Sequence, residues 1–284
     1  MPTVGTIKEI WRYPVKSMRG ELIQNTRVGT KGVLGDRGWA IRDEEAGEVR
    51  GARNFPSLLN CFSRYEKSPT SEPYPPAIIS FPDGSQALSN SEGLNLQLSK
   101  YLGKKVSIWP ILPSDQSDHY KRLPIDEAEL RRLFAREEGE PIPDLSQFPE
   151  YLMEYVSPEG TYFDAHSVHV LTTATLKHME SLNPDSNWSV QRFRPNLVID
   201  TGDEPELIEN TWIGKILSIN GVELKCVGPV PRCAMTAHPQ GDDIDKDPKI
   251  LRTIVKDTDQ NLGVYFEVLS TGEIHTGNSA EISG

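Results

Sequence analysis

Apolar and polar residues alternate over residues 4–13, Val-Gly-Thr-Ile-Lys-Glu-Ile-Trp-Arg-Tyr, which predicts a first strand ended by Pro14. Similar patterns predict strands over residues 22–28, 39–43, 58–66 and 106–110. Residues 91–103 read as a short amphipathic helix stopped by Gly103, and the Pro- and Ser-rich residues 68–76 as a loop. Residues 126–138 form a charged helix candidate, and residues 137–158 an acidic, proline-bearing connection.

The second half resumes with a strand over residues 168–172 and a capped helix over residues 173–182, ended by Asn183-Pro184. Residues 193–199 combine a turn with a strand. Asn220-Gly221 is a two-residue hairpin signal, after which Pro229 and Pro231 are expected to break the ladder. Asp247 and Pro248 open a helix over residues 247–256, and residues 264–269 and 274–275 supply closing strands. The fold class expected is mainly β (α+β), of barrel or sandwich type with a few short helices.

Composition narrows the function classes. The 284 residues are 37% hydrophobic and 25% charged, so a packed core is feasible. A formal net charge of −11 argues against nucleic acid or an anionic membrane as the main partner. Three cysteines, Cys61, Cys226 and Cys233, give no disulfide framework and suit a reducing compartment. No apolar run approaches the roughly 18 residues that span a bilayer, and residues 1–6 lack a basic leader. A soluble, cytoplasmic protein is the expectation.

The candidate chemistry lies in turns. Arg232-Cys233 places a thiol beside a fixed positive charge in a loop, where ionisation is expected to be easier than in an apolar core. Cys61 and Cys226 sit inside strand patterns and read as small core residues. Basic residues recur at strand ends: Lys16-Ser17, Arg37, Arg53, Arg194-Pro195-Asn196 and Arg232. Lys16, Arg194 and Arg232 have no acidic residue within three positions. If these turns converge, they form a pocket for a phosphate or another anion. His166, His169, His178 and His238 with Cys233 show no recognised zinc spacing.

Tyr13-Pro-Val-Lys16-Ser17, Gly35-Asp-Arg37, Phe193-Arg194-Pro195-Asn196 and Arg232-Cys233-x-x-Thr236 follow the order seen in MOSC proteins, named for the C-terminal domain of molybdenum cofactor sulfurase. The resemblance covers nearly the whole chain. It implies a MOSC N-terminal β-barrel domain over residues 1–115, a helical and acidic connection over 116–160, and a MOSC β-barrel domain over 161–284.

Within that family the chain resembles the mitochondrial amidoxime-reducing component and its bacterial relatives. That likeness implies a molybdenum–molybdopterin cofactor with Cys233 as the metal ligand and catalytic thiolate. Lys16, Ser17, Arg37, Arg194, Asn196 and Arg232 would hold the pterin and its phosphate, with Asp164 and Tyr265 as further contacts. The reaction implied is two-electron reduction of an amidoxime, hydroxylamine or hydroxamate. Three cysteines fall short of the four that a plant-type iron–sulfur cluster needs, so the expected donor is a separate ferredoxin-, flavin- or b-type-cytochrome-based protein.

Departures from the family pattern fall near the thiol. Pro231 stands where a Ser is common, Thr236-Ala237-His238-Pro239 where Thr-Thr-x-Asp-Pro is common, and the 164–169 segment also differs. Two other roles stay open: sulfur transfer or carbon–sulfur cleavage through a Cys233 persulfide, and cofactor carriage without turnover.

Overall fold

The computed structural model describes residues 1–143, 150–202, 204 and 206–284. Residues 144–149 of the acidic connection therefore lie outside the described residues.

Seven strands close into a barrel. In ring order they are Leu197–Asp200, Val168–Thr172, Asn261–Ser270, Val222–Pro231, Ile216–Ile219, Ser279–Ser283 and Thr3–Arg12, which pairs back to Leu197–Asp200. Glu21–Ile23 adds to the outer edge of Thr3–Arg12. Only the Val168–Thr172 and Leu197–Asp200 pair is parallel, because the helix Thr173–Leu182 connects them as a crossover. Closure comes from opposite ends of the sequence: Ile10 faces Leu197 across one ladder, and Thr6 faces Ser279 across the other. The first strand thus belongs to the barrel built by the second half of the chain.

Alternation explains the core. Ile7 and Ile10 from the first strand meet Leu217, Leu224, Val264 and Phe266, all essentially sealed from solvent. Each such side chain contributes about 1.5–3 kcal/mol relative to exposure. A second core gathers Val15, Met18, Leu58, Cys61 and Leu98 beneath the three-stranded sheets of residues 39–110 and the helix Leu94–Leu102. The molecule is mainly β with few helices.

Local signals were followed in most elements. Asn220 and Gly221 take φ of 47° and 81° in a two-residue hairpin turn. Asp247 caps Pro248–Asp257 by accepting from the Lys249 N–H at 2.9 Å. Cys226 and Cys61 are buried, and burial pushes their thiols up to about 12 and about 11.

Four readings need correction. The strand expected over residues 58–66 covers only Phe62–Tyr65, because the chain after Pro56 turns through a short 3-10 helix, Pro56–Asn60. Pro229 and Pro231 do not break the ladder. The strand Val222–Pro231 runs through them, with register shifts that let the prolines lie opposite Val264 and Asn261. The strand expected over residues 22–28 is two strands, Glu21–Ile23 and Asn25–Gly29, paired to different partners. The charged helix is Glu127–Leu133 and stops early, since Ala135 takes φ of 49°.

One buried acid gives a stability prediction. Glu209 is almost sealed, and its Oε2 accepts from the hydroxyls of Thr172 at 2.7 Å and Thr175 at 2.5 Å. Burial raises its pKa above the ordinary 4.5, against the pull of those two donors. For an acid raised on folding, the unfolded chain releases the proton first, so stability falls as pH rises above 4.5. Glu209→Gln keeps the acceptor and removes the charge, and should flatten that fall in urea midpoints measured across the pH range.

Candidate active site

The cavity opens where the barrel meets the N-terminal sheets. Its walls are Arg37, Phe163, Asp164, His166, His169, Phe193, Arg194, Asn196, Arg232, Met235 and Tyr265. The enclosed volume is about 40 Å³, enough for a few waters or the anionic end of a larger group.

Six of the residues singled out in the sequence share this cavity: Arg37, Asp164, Arg194, Asn196, Arg232 and Tyr265. Each is set by local structure. Arg194 follows the short helix Val190–Phe193 in a left-handed conformation, φ 55°. Its Nη1 donates to the Met18 carbonyl at 2.6 Å, and its guanidinium lies 4.1 Å from the Tyr13 ring centroid. Arg37 is also left-handed, φ 50°, and pairs with buried Asp36. Arg232 donates from Nη2 to the Phe193 carbonyl at 2.8 Å. Gln260 clamps its backbone from both sides, accepting from the Arg232 N–H and donating to its carbonyl, each at 2.8 Å.

Lys16 stands behind the wall. Its Nζ donates to the Tyr162 carbonyl at 2.8 Å and pairs with Asp164 at 2.6 Å. Asn196 is a strut as well as a wall. It donates to Asp36 at 2.9 Å and accepts from the His169 N–H at 3.1 Å. Ser17 points elsewhere: its hydroxyl accepts from the Ala52 N–H at 2.8 Å, and its φ is 68°. Cys233 lies between two wall residues, Arg232 and Met235, without lining the cavity itself. It is half-buried at the start of the short helix Ala234–Ala237.

Charge dominates this site. Among the described residues, the carboxylates acting on Lys16, Arg37, Arg194 and Arg232 are Asp36 and Asp164, so the four cations outnumber the acids by two. Burial lowers Arg194 to about 10, with Arg37 pushing the same way. Burial also lowers Lys16, against Asp164. For Arg37, burial works against the charge, and Asp36 and Asp164 reverse it, so its pKa rises. Asp164 keeps 72% of its side chain exposed at the mouth; partial desolvation pushes it up, but Lys16, Arg37 and Arg194 hold it well below the usual carboxylate range. Tyr265 is pushed up to about 12 by burial.

The Arg232 charge does pull the Cys233 thiol down. Burial outweighs both the Met235 N–H and the Arg232 charge and pushes the thiol above its ordinary value.

Arg194 Nη2, Arg232 Nε and His169 Nε2 are buried without a hydrogen-bond partner among the described residues. Uncompensated buried charge costs several kcal/mol per ion, so this donor set suits an anionic ligand that restores the balance. It fits the phosphate end of a molybdopterin, and the neighbouring thiol fits a soft metal. Among the described residues no group of three or more His, Cys, Asp or Glu is placed to hold a metal by itself.

Sequence reasoning missed the walls Phe163, His166, His169, Phe193 and Met235 as site residues. It also missed Arg192, which is fully buried and ties down the chain after Cys233. Its Nη1 donates to the Thr236 and His238 carbonyls at 3.1 and 3.4 Å, its Nη2 to Asp245 at 2.8 Å, and its Nε to Asn187 at 2.8 Å. The only signal was its place two positions before Arg194.

Comparison with known proteins gives matches over both halves of the chain. Residues 158–281 match the MOSC domain, and residues 4–73 match the MOSC N-terminal beta barrel domain. Mitochondrial amidoxime reducing component 2 of Rattus norvegicus is 26% identical over 298 residues, covering 97% of this chain and 82% of its own. The Bos taurus protein of the same name is 26% identical over 303 residues, with the same coverage. Among solved structures, the YUAD protein from Bacillus subtilis covers 98% of this chain and 94% of its own, at 9% identity and a TM-score of 0.44.

Proposed function

Because this chain belongs to the MOSC family and carries both its N-terminal barrel domain and its MOSC domain, we propose that it is a molybdenum-cofactor-dependent reductase of small N-hydroxylated compounds. The observation that carries this reading is the surplus of buried cationic donors beside a thiol. Arg37, Arg194 and Arg232, with Lys16 behind them, would hold the phosphate of the pterin, and Cys233 would be the protein ligand to molybdenum. When bound, the group supplies two-electron redox chemistry that no side chain here can supply.

The chain's own residues do the rest. Phe163, Phe193 and Met235 supply the apolar part of the cavity wall. Tyr265, with its pKa near 12, stays an O–H donor at neutral pH. Asp164 stays ionised and holds Lys16 in place. A thiol pushed up by burial is a poor free nucleophile, but coordination to a metal deprotonates it outright. That favours a metal ligand over a persulfide carrier.

The electron donor would be a separate protein of ferredoxin, flavin or b-type cytochrome class, as the likeness to amidoxime reducing components suggests. No helix among the described residues is long and apolar enough to cross a membrane. We place the protein in the cytoplasm because three cysteines without a disulfide framework suit a reducing compartment.

The test is metal and pterin analysis of protein made in a host that synthesises the cofactor, followed by assay with benzamidoxime and reduced viologen. Stoichiometric molybdenum and formation of benzamidine are expected. Protein without molybdenum would overturn the reading. Molybdenum without turnover would make the protein a carrier, and a Cys233 persulfide without molybdenum would make it a sulfur-transfer protein.

A further inference from the structure

Two histidines line the cavity, and their situations differ. His169 is sealed: Gly263 packs so closely that a Cβ there would lie 2.3 Å from its Nε2. Burial, with Arg232 and Arg37 adding to it, keeps the ring neutral well below the ordinary pH of protonation. His166 instead reaches solvent. Its side chain is 15% exposed, and its Nδ1 lies 3.3 Å from Glu267 Oε1, whose own side chain is 56% exposed. Its ring centroid lies 5.3 Å from that of Tyr265.

Reduction of an amidoxime consumes protons as well as electrons. The balanced step is R–C(NH2)=N–OH plus two electrons and two protons giving R–C(NH2)=NH plus water. The N–O bond breaks, one proton completes the water, and the other goes to nitrogen. Both electrons originate in an external one-electron reductant such as a reduced viologen, used twice.

Few cavity groups can deliver a proton near neutral pH. The arginines stay charged, Tyr265 is too weak an acid, and Asp164 is held ionised beside Lys16. His169 has no route to solvent. His166 has both a place in the wall and a carboxylate on its solvent side. The titratable groups beside it are Tyr265 and Glu267 from the strand Asn261–Ser270, with Asp164 two positions before it on its own segment.

We propose that His166, recharged from solvent through Glu267, donates the proton that turns the departing hydroxyl into water. This rests on the reductase reading above.

Two experiments decide it. The first needs no cofactor: 15N-labelled full-length protein is titrated by NMR, following the His166 imidazole. Burial lowers His166, and Glu267 pulls it back up, so Glu267→Gln should shift its titration to lower pH. An unmoved titration overturns the dyad. The second uses cofactor-loaded enzyme, benzamidoxime and reduced viologen. His166→Gln should lower kcat by about 100-fold, at unchanged molybdenum content and melting temperature. Glu267→Gln should move the alkaline fall of kcat to lower pH, since the proton donor must be protonated. Full turnover by His166→Gln overturns the proposal and leaves the reductase reading standing. Wild-type enzyme that holds molybdenum without turning over overturns both.

Discussion

Cys233→Ala, made in a cofactor-producing host, is expected to lose its molybdenum and all reductase turnover while keeping its fold. Cys233 is half-buried at the start of a short helix, and Ala at this position keeps the helix start and removes only the sulfur. Its backbone carbonyl, which accepts from the Thr236 hydroxyl at 3.1 Å, is untouched. Removing a partly exposed thiol should change stability by less than about 1 kcal/mol, so thermal melting should be nearly unmoved. Pterin content should fall less than metal content, because the arginines that suit the phosphate remain. The measurement is elemental analysis beside pterin fluorescence and a melting curve. Molybdenum retained at the wild-type level would remove Cys233 from the metal.

Arg192→Met is expected to destabilise the fold by about 3 kcal/mol, the largest single-residue effect on stability that the site offers. Four carbonyls, those of Asn187, Thr236, His238 and Asp245, turn toward one buried guanidinium. A methionine fills similar volume and leaves each of them without its donor. Burial lowers the pKa of Arg192, against Asp247 and Asp245, and relief of that burial is a partial offset. Arg192→Lys should lie between the two, since one ammonium cannot reach four carbonyls in a fork. Urea unfolding gives the midpoint, and molybdenum content gives the local effect on the Cys233 segment. A wild-type midpoint for Arg192→Met would mean that water replaces the guanidinium without loss.

The left-handed backbone at this site has a related meaning. Ser17, Arg37 and Arg194 are three of the seven non-glycine residues with positive φ among the described residues. Such conformations cost of order 1–3 kcal/mol each and persist where surrounding contacts impose them. Arg194 is held by Met18 and Tyr13, and Arg37 by the Tyr13 carbonyl, which accepts from its N–H at 2.7 Å. The turns that bear the cationic side chains are thus fixed before any ligand arrives.

The chain's local chemistry was readable without coordinates. Alternation in residues 4–13, the Asn220-Gly221 turn and the Asp247-Pro248 helix start all act within a few residues, so the sequence states them directly. Lys16, Arg194 and Arg232, with no acidic residue within three positions, marked cationic turns, because bases without nearby acids are unusual in so acidic a chain. What needed tertiary structure was everything set by distance across the fold. Barrel closure by Thr3–Arg12 depends on pairing with Leu197–Asp200, which no local pattern encodes. The strand survives Pro229 and Pro231 only because bulges against Asn261–Ser270 spare it the missing donors. The Arg232 charge beside Cys233 was legible, but the net direction turns on how much protein surrounds the thiol, and burial outweighs the charge. His166 and His169 read alike in the sequence; the neighbours Glu267 and Gly263 make one a route to solvent and the other a sealed wall.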